Sequence, residues 1–203
     1  MQVIFIRHGE SEANVERIIS NRNLPHNLTK HGWKQALTLS DKLSSKNIAV
    51  IYASPIRRAQ QTAQLIAEKR HLPIHMTNAL REFDCGIIEG RGDEEAWQAH
   101  QAVVQAWDNG DHGRQIAGGE SFNDMQKRFV PFIKQLVSEF GEGDAAVVLL
   151  SHGGLLHQML PLVLSNIDRA FTKDHPLGNC ACVVAIPQRE KLVCIEWDGI
   201  HLE

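Results

Sequence analysis

A chain of 203 residues with 43% hydrophobic and 22% charged side chains can bury one sizeable core, and it is too apolar for a disordered polymer. Its formal net charge of −3 excludes a nucleic-acid binder built on a broad basic surface but leaves room for a compact basic pocket. No long apolar run and no basic leader before one occurs, so a membrane span and a secretion signal are not expected and the cytoplasm is the expected location.

In chain order, VIFI (3–6) reads as a buried strand. LTKHGWKQALTLSDKL follows as a helix capped by Thr29, with Trp33, Ala36, Leu37 and Leu43 as its apolar positions. VIYA (50–53) is a second strand. SPIRRAQQTAQLIAEKR is a helix with Ser54 as N-cap, Pro55 in first position and a stripe of Ile56, Ala59, Ala63 and Ile66. DEEAWQAHQAVVQAW and ESFNDMQKRFVPFIKQLVSEF are two more helices, the second expected to kink at Pro131. VVLL (147–150), the helix GLLHQMLPLVL, and the strands VVAI (183–186) and LVCIEW (192–197) complete the set, the last as an edge strand beside its predecessor. The least regular stretches are 19–28, 81–92 and 108–120, and loops that long in a compact domain tend to be functional or mobile. Cys85, Cys180, Cys182 and Cys194 form no CxxC pair, so reduced thiols are expected, with Cys180 and Cys182 on one strand face as packing.

Strands apolar on both faces that alternate with helices predict a mainly parallel sheet covered on both sides, an α/β fold of the three-layer α/β/α type. One domain over residues 1–203 is expected. In such a sheet the ligand crevice lies beyond the carboxyl ends of the strands. Three strands end there in Arg7-His8-Gly9-Glu10, Ser54-Pro55-Ile56-Arg57-Arg58 and Ser151-His152-Gly153-Gly154. A lone histidine at a strand end is more often satisfied by a backbone carbonyl than used. Two, each followed by glycine and a helix start, point to an anion site. One of Arg57 and Arg58 is expected to solvate the helix face. The phosphate-loop pattern GxxxxGK[ST] and the nucleophile elbow GxSxG are missing, which demotes Ser151 as a nucleophile.

RHGESEAN, SPIRRAQQTA, LREFDCGIIEG, GGES and SHGG, in that order from residue 4 to about residue 182, resemble the histidine phosphatase superfamily, with its phosphoglycerate-mutase-like fold. The resemblance implies that His8 takes the phosphoryl group as a phosphohistidine. Arg7, Arg58 and His152 would bind the three equatorial oxygens, with Asn14 and Gly153 as further substrate contacts. Glu82 matches the proton donor; Glu10, beside the nucleophile, is the alternative. The physics agrees with these roles, because phosphoryl transfer spreads charge that a water-poor cluster of donors stabilises. A histidine attacks at neutral pH only if its other nitrogen is held, which the Gly9 carbonyl could do. The two imidazoles are expected to face each other across a cationic hole sized for one PO3 unit, and neither metal nor cofactor is called for.

Mutases of this superfamily carry an ERHYG-like motif where this chain reads REFDCG, which favours hydrolysis of a small phosphorylated metabolite. A phosphoglycerate mutase-type phosphotransferase and a non-catalytic phosphoanion binder are the alternatives. Residues 88–120 are expected to cap the site, with Trp97, His100, Trp107, His112 and Arg114 as candidate lining residues and core packing as the competing role for the tryptophans. The edge run KLVCIEW offers a surface through which a homodimer could pair. Neither nucleic acid nor a membrane is an expected partner.

Overall fold

The computed structural model describes residues 1–22, 24–141, 143–188 and 191–202; of the loop 19–28, Asn23 lies outside the described residues. Val3, Ile4, Phe5 and Ile6 are all fully buried, which a strand achieves only inside a sheet covered on both faces. Their strand, β1 (Gln2–Arg7), is flanked on one side by β4 (Ala146–Ser151) and on the other by β5 (Cys182–Gln188). With β2 (Ile48–Ala53), β3 (Ile74–Met76), β6 (Lys191–Trp197) and β7 (Ile200–His201), the described sheet has seven strands in the order β3-β2-β4-β1-β5-β6-β7. Side chains alternate in direction along β1. Val3 and Phe5 therefore join the larger apolar cluster, while Ile4 and Ile6 join the smaller one on the opposite face.

The smaller cluster is closed by α2 (Lys30–Lys42) and α3 (Arg57–Glu68), through Leu39, Ala63 and Ile66. The larger is closed by α4 (Glu94–Asp108), α5 (Phe122–Phe140) and α6 (Gly153–Val163), through Trp107, Phe129, Ile133 and Met159. Two short helices, α1 (Glu12–Val15) and α7 (Arg169–Asp174), complete the three layers. None of the described helices is long and apolar enough to cross a membrane.

Thr29 caps α2 as expected, its hydroxyl accepting from the Gly32 amide at 2.9 Å. Leu39 rather than Leu37 turns inward, and Leu37 is 46% exposed. The helix after β2 starts two residues later than its sequence suggests, with Ile56 at the N-cap. The reason is that the Ser54 hydroxyl is bonded to the His152 ring and to the Ile56 amide rather than to a helical turn. α5 and α6 run through Pro131 and Pro161. Only the β3-β2-β4-β1 half of the sheet is parallel; β5, β6 and β7 follow one another antiparallel through short connections.

Two further expectations change. Cys180 stands before β5 with φ of 61°, so it shares no strand face with Cys182. LVCIEW is not a bare edge: the Ser165 amide bonds to Leu192 O, both arms of the Asn166 amide bond to the Cys194 backbone, and the Leu202 amide bonds to Ile195 O. Beyond Ile195 the strand is paired by β7. A strand so covered presents few free backbone groups for another chain.

Candidate active site

Parallel pairing of β1 with β4 sets Arg7 opposite Ser151, so the two His-Gly turns leave the sheet side by side. The His8 amide bonds to Ser151 O at 3.1 Å and the Ser54 amide to Leu150 O at 2.9 Å, which ties three strand ends into one rim. Arg58 enters from the first turn of α3, buried, while Arg57 points to solvent.

His8 is 2% exposed. Its Nδ1 lies 2.6 Å from Gly9 O, and Arg58 Nε donates to its Nε2 at 2.8 Å. A guanidinium only donates, so Nε2 carries the lone pair and Nδ1 carries the hydrogen given to Gly9 O. Burial, then the charge of Arg58, hold this ring well below the usual imidazole range, despite the Gly9 bond and with Arg7 adding to the effect. The ring is thus neutral near pH 7 with its base nitrogen fixed. Thr62 locks the frame: its Oγ1 accepts from the Gly9 amide at 3.1 Å and donates to Arg58 O at 2.8 Å. Arg58 also donates to Ser20 O at 2.5 Å and reaches Asn21 Oδ1 at 3.5 Å. Burial pushes Arg58 down to about 10, which leaves it cationic at neutral pH.

Arg7 donates through Nη1 to Leu177 O at 2.7 Å. His152, wholly buried, meets Ser54 Oγ through Nε2 at 2.7 Å. Arg7 Nε and His152 Nδ1 are buried without a partner among the described residues. Orphaned buried polar atoms are costly and rare; Arg7 itself lines a cavity, and His152 directly precedes Gly153, which lines the same cavity. The two imidazoles do not face each other across a gap. Their centroids are 5.1 Å apart with the rings edge to face at 61°, which leaves no space for PO3 between them. The opening lies to one side of His8, in a cavity of about 170 Å³ walled by Arg7, Asn14, Arg58, Glu82 and Gly153 among others. His152 packs against His8 and immediately precedes Gly153, which is on that wall. Neighbouring strands that end in the same register put such residues shoulder to shoulder.

Glu82 follows a short 3-10 turn (Asn78–Leu80) and is 8% exposed. Its carboxylate accepts from the Gly154 amide at 2.8 Å and the Phe83 amide at 3.1 Å. Burial raises its pKa above the usual carboxylate value and outweighs those bonds and the pull of Arg58. Glu10, by contrast, accepts from Thr29 Oγ1 at 2.6 Å and is not on the cavity wall. It fastens β1 to α2. Asn14 Oδ1 is committed to the Ser11 amide and hydroxyl, both at 3.0 Å, leaving its amide nitrogen for a ligand.

The paired glycines at the start of α6 have a steric reason. A Cβ on Gly154 would stand 2.9 Å from both Glu82 carboxylate oxygens, and one on Gly153 would stand 3.1 Å from Arg7 Nε. The Cβ on Gly154 would also stand 3.0 Å from the buried Phe83 ring, so Gly154→Ala displaces the carboxyl group and crowds the core: kcat is expected to fall about 10- to 100-fold and the thermal midpoint to drop as well. Steady-state kinetics and a melt on one preparation check both.

Ser20, Asn21, Ser54 and Thr62 were not singled out as site residues by sequence; only the irregularity of 19–28 hinted at the first two. Among the cap candidates, Trp97 and His100 reach the cavity. Trp107 is core, fully buried, with Nε1 donating to Arg114 O at 2.7 Å. His112 stacks on Phe122 at 4.3 Å, and neither it nor Arg114 lines the cavity.

A family model described as histidine phosphatase superfamily (branch 1) matches residues 3–199. The chain is 31% identical over 189 residues to an adenosylcobalamin/alpha-ribazole phosphatase of Escherichia coli strain K12, covering 93% of this chain and 92% of the relative. A Salmonella choleraesuis protein named a probable phosphoglycerate mutase is 29% identical over 81% of this chain and 75% of its own. The crystal structure of the alpha-ribazole phosphatase from Shigella flexneri superposes with a TM-score of 0.80 at 26% identity, covering 100% of both chains.

Proposed function

The chain belongs to branch 1 of the histidine phosphatase superfamily, and we propose that it hydrolyses a phosphomonoester of a small cytoplasmic metabolite through a phosphorylated His8. In this reading the whole chain is one catalytic domain, with residues 88–120 as its cap. The observation that carries it is the fixed state of His8: buried, neutral, Nδ1–H tied to Gly9 O, Nε2 lone pair set against a buried guanidinium.

Nε2 attacks phosphorus as the bond to the ester oxygen breaks, and protonated Glu82 gives its proton to the departing alkoxide. Glu82, now a carboxylate, takes a proton from water; the hydroxide attacks the phosphohistidine, the P–N bond breaks, and inorganic phosphate leaves. Arg7, Arg58, His152 and Asn14 hold the equatorial oxygens, whose charge they stabilise more as it spreads. The partnerless Arg7 Nε and His152 Nδ1 support that assignment, as does the raised pKa of Glu82, which favours the acid form needed in the first step.

Hydrolysis of p-nitrophenyl phosphate in the presence of EDTA tests the reading. Turnover is expected to be undiminished by the chelator, with one inorganic phosphate released per p-nitrophenol; phenol in excess of phosphate would mark a mutase-type transfer to an acceptor. Quenching with labelled substrate is expected to leave an alkali-stable, acid-labile label on the peptide containing His8. Turnover with the label on any other residue overturns the proposed role of His8.

A further inference from the structure

The cavity that holds the phosphoryl site has a second kind of wall. Besides its polar residues, which include Asn14, Ser20 and Asn21, it is lined by Ile18, Ile19, Phe83, Trp97 and His100. Phe83 and His100 stack with centroids 5.2 Å apart at 30°, and Trp97 meets His100 edge-on at 5.2 Å and 60°. The indole is fixed, because its Nε1 donates to Arg17 O at 2.7 Å. Phe83 is braced from behind by the buried Trp107, 5.0 Å away and nearly perpendicular at 76°. The wall is thus a rigid aromatic surface beside the reacting centre.

A second hollow of about 300 Å³ adjoins the first across Phe83 and His100, and adds Val104, Pro176, Leu177, His157 and Gln158. Among the described residues that line the two hollows there is no lysine, no arginine besides Arg7 and Arg58, and no carboxylate besides Glu82. Arg169 donates to Gln158 Oε1 at 2.8 Å, but it is already paired with Asp108 at 2.9 Å. Burial pushes His100 down to about 4, and it lowers His157 as well, though Asp108 opposes the shift there. Neither ring supplies a cation at neutral pH.

The two arginines are taken by the phosphoryl oxygens. A second anionic group on the substrate would have to leave water for an apolar wall with no counter-ion, which is strongly unfavourable. A flat, uncharged group would instead stack on the aromatic rings. We propose that Phe83, Trp97 and His100 select the leaving group, so that the preferred substrates are phosphomonoesters of uncharged, ring-bearing alcohols and esters carrying a carboxylate or second phosphate are rejected. This rests on the phosphomonoesterase reading above.

The test compares kcat/KM for 2-phenylethyl phosphate, glycerol 3-phosphate and 3-phosphoglycerate, whose leaving alcohols are all weakly acidic, with p-nitrophenyl phosphate as the activity control. The ring ester is expected to exceed glycerol 3-phosphate at least about tenfold and 3-phosphoglycerate at least about 100-fold. Trp97→Ala is expected to shrink the first ratio by about tenfold, and His100→Arg, which adds a cation to the mouth, to raise 3-phosphoglycerate relative to the ring ester by a similar factor. Being ratios within one preparation, these readouts do not depend on how much of a variant folds. If the wild type uses 3-phosphoglycerate as well as the ring ester, or if Trp97→Ala leaves the ratio unmoved, the selectivity is overturned and the phosphatase reading stands. No hydrolysis of any ester, p-nitrophenyl phosphate included, overturns the reading itself.

Discussion

His8→Ala is expected to lower the turnover of p-nitrophenyl phosphate by on the order of 10⁴-fold or more, since removing a nucleophile takes away the covalent route and leaves only binding and charge stabilisation. The substitution acts twice. It deletes the attacking nitrogen, and it strips Arg58 Nε of its acceptor inside a buried site, where an unpaired donor is costly. A stability loss is therefore expected alongside the kinetic one. His8→Gln, whose Oε1 reaches the position of Nε2 and can accept from Arg58 Nε, separates the two: its melting temperature should lie closer to the wild type while its turnover stays as low as that of the alanine variant. Wild-type rates in either variant, measured as p-nitrophenol release, would remove His8 from the reaction.

For Glu82→Gln the expected loss in kcat is about 10²- to 10⁴-fold on an alkyl phosphate, and much less on p-nitrophenyl phosphate, whose leaving group needs little protonation. The Phe83 and Gly154 amides donate to different oxygens of Glu82, so glutamine keeps an acceptor for only one of them; the loss on the alkyl ester relative to p-nitrophenyl phosphate, rather than the absolute rate, reads the missing proton. The pH profile carries the sharper signature. Burial raises the folded pKa of Glu82, so the acid form persists above the ordinary carboxylate range and is lost as pH climbs through the raised value; kcat should fall in that window. His8 is shifted the opposite way, so its protonation limits the rate only at distinctly acid pH. Glu82→Gln should abolish the alkaline fall and leave the acid side in place. An unchanged alkaline limb would assign the donor elsewhere.

Much of this arrangement was legible in the residues. VIFI could be buried on both faces only as a central strand, and Arg7, His8 and Gly9 follow it at the end where crevices form. The pair Gly153-Gly154 was legible as an approach point, though not its target, since Glu82 lies 72 residues away in sequence. The failures have physical causes. Ser54 and Pro55 carry the local chemistry of a helix start, yet a contact with His152, 98 residues distant, takes the hydroxyl first. β3, β7 and α7 are too short to establish a periodicity. Trp97 and Trp107 lie on one amphipathic helix, and the pattern gives which side is inward but not where along its length the core ends and the cavity begins. Ser20 and Asn21 reach Arg58 from a loop whose path follows no repeat.

Arg58 donates to the lone pair of His8 that attacks phosphorus in the proposed reaction, so in that reaction guanidinium and electrophile contend for one orbital. An anionic phosphoryl oxygen is a stronger acceptor than a neutral imidazole, and a visitor bearing such oxygens can draw the cation aside. An uncharged electrophile offers nothing in exchange and meets a sheathed nitrogen. In the proposed reaction, then, attack would be conditional on the charge of whatever arrives, through a single internal contact from Arg58 to His8.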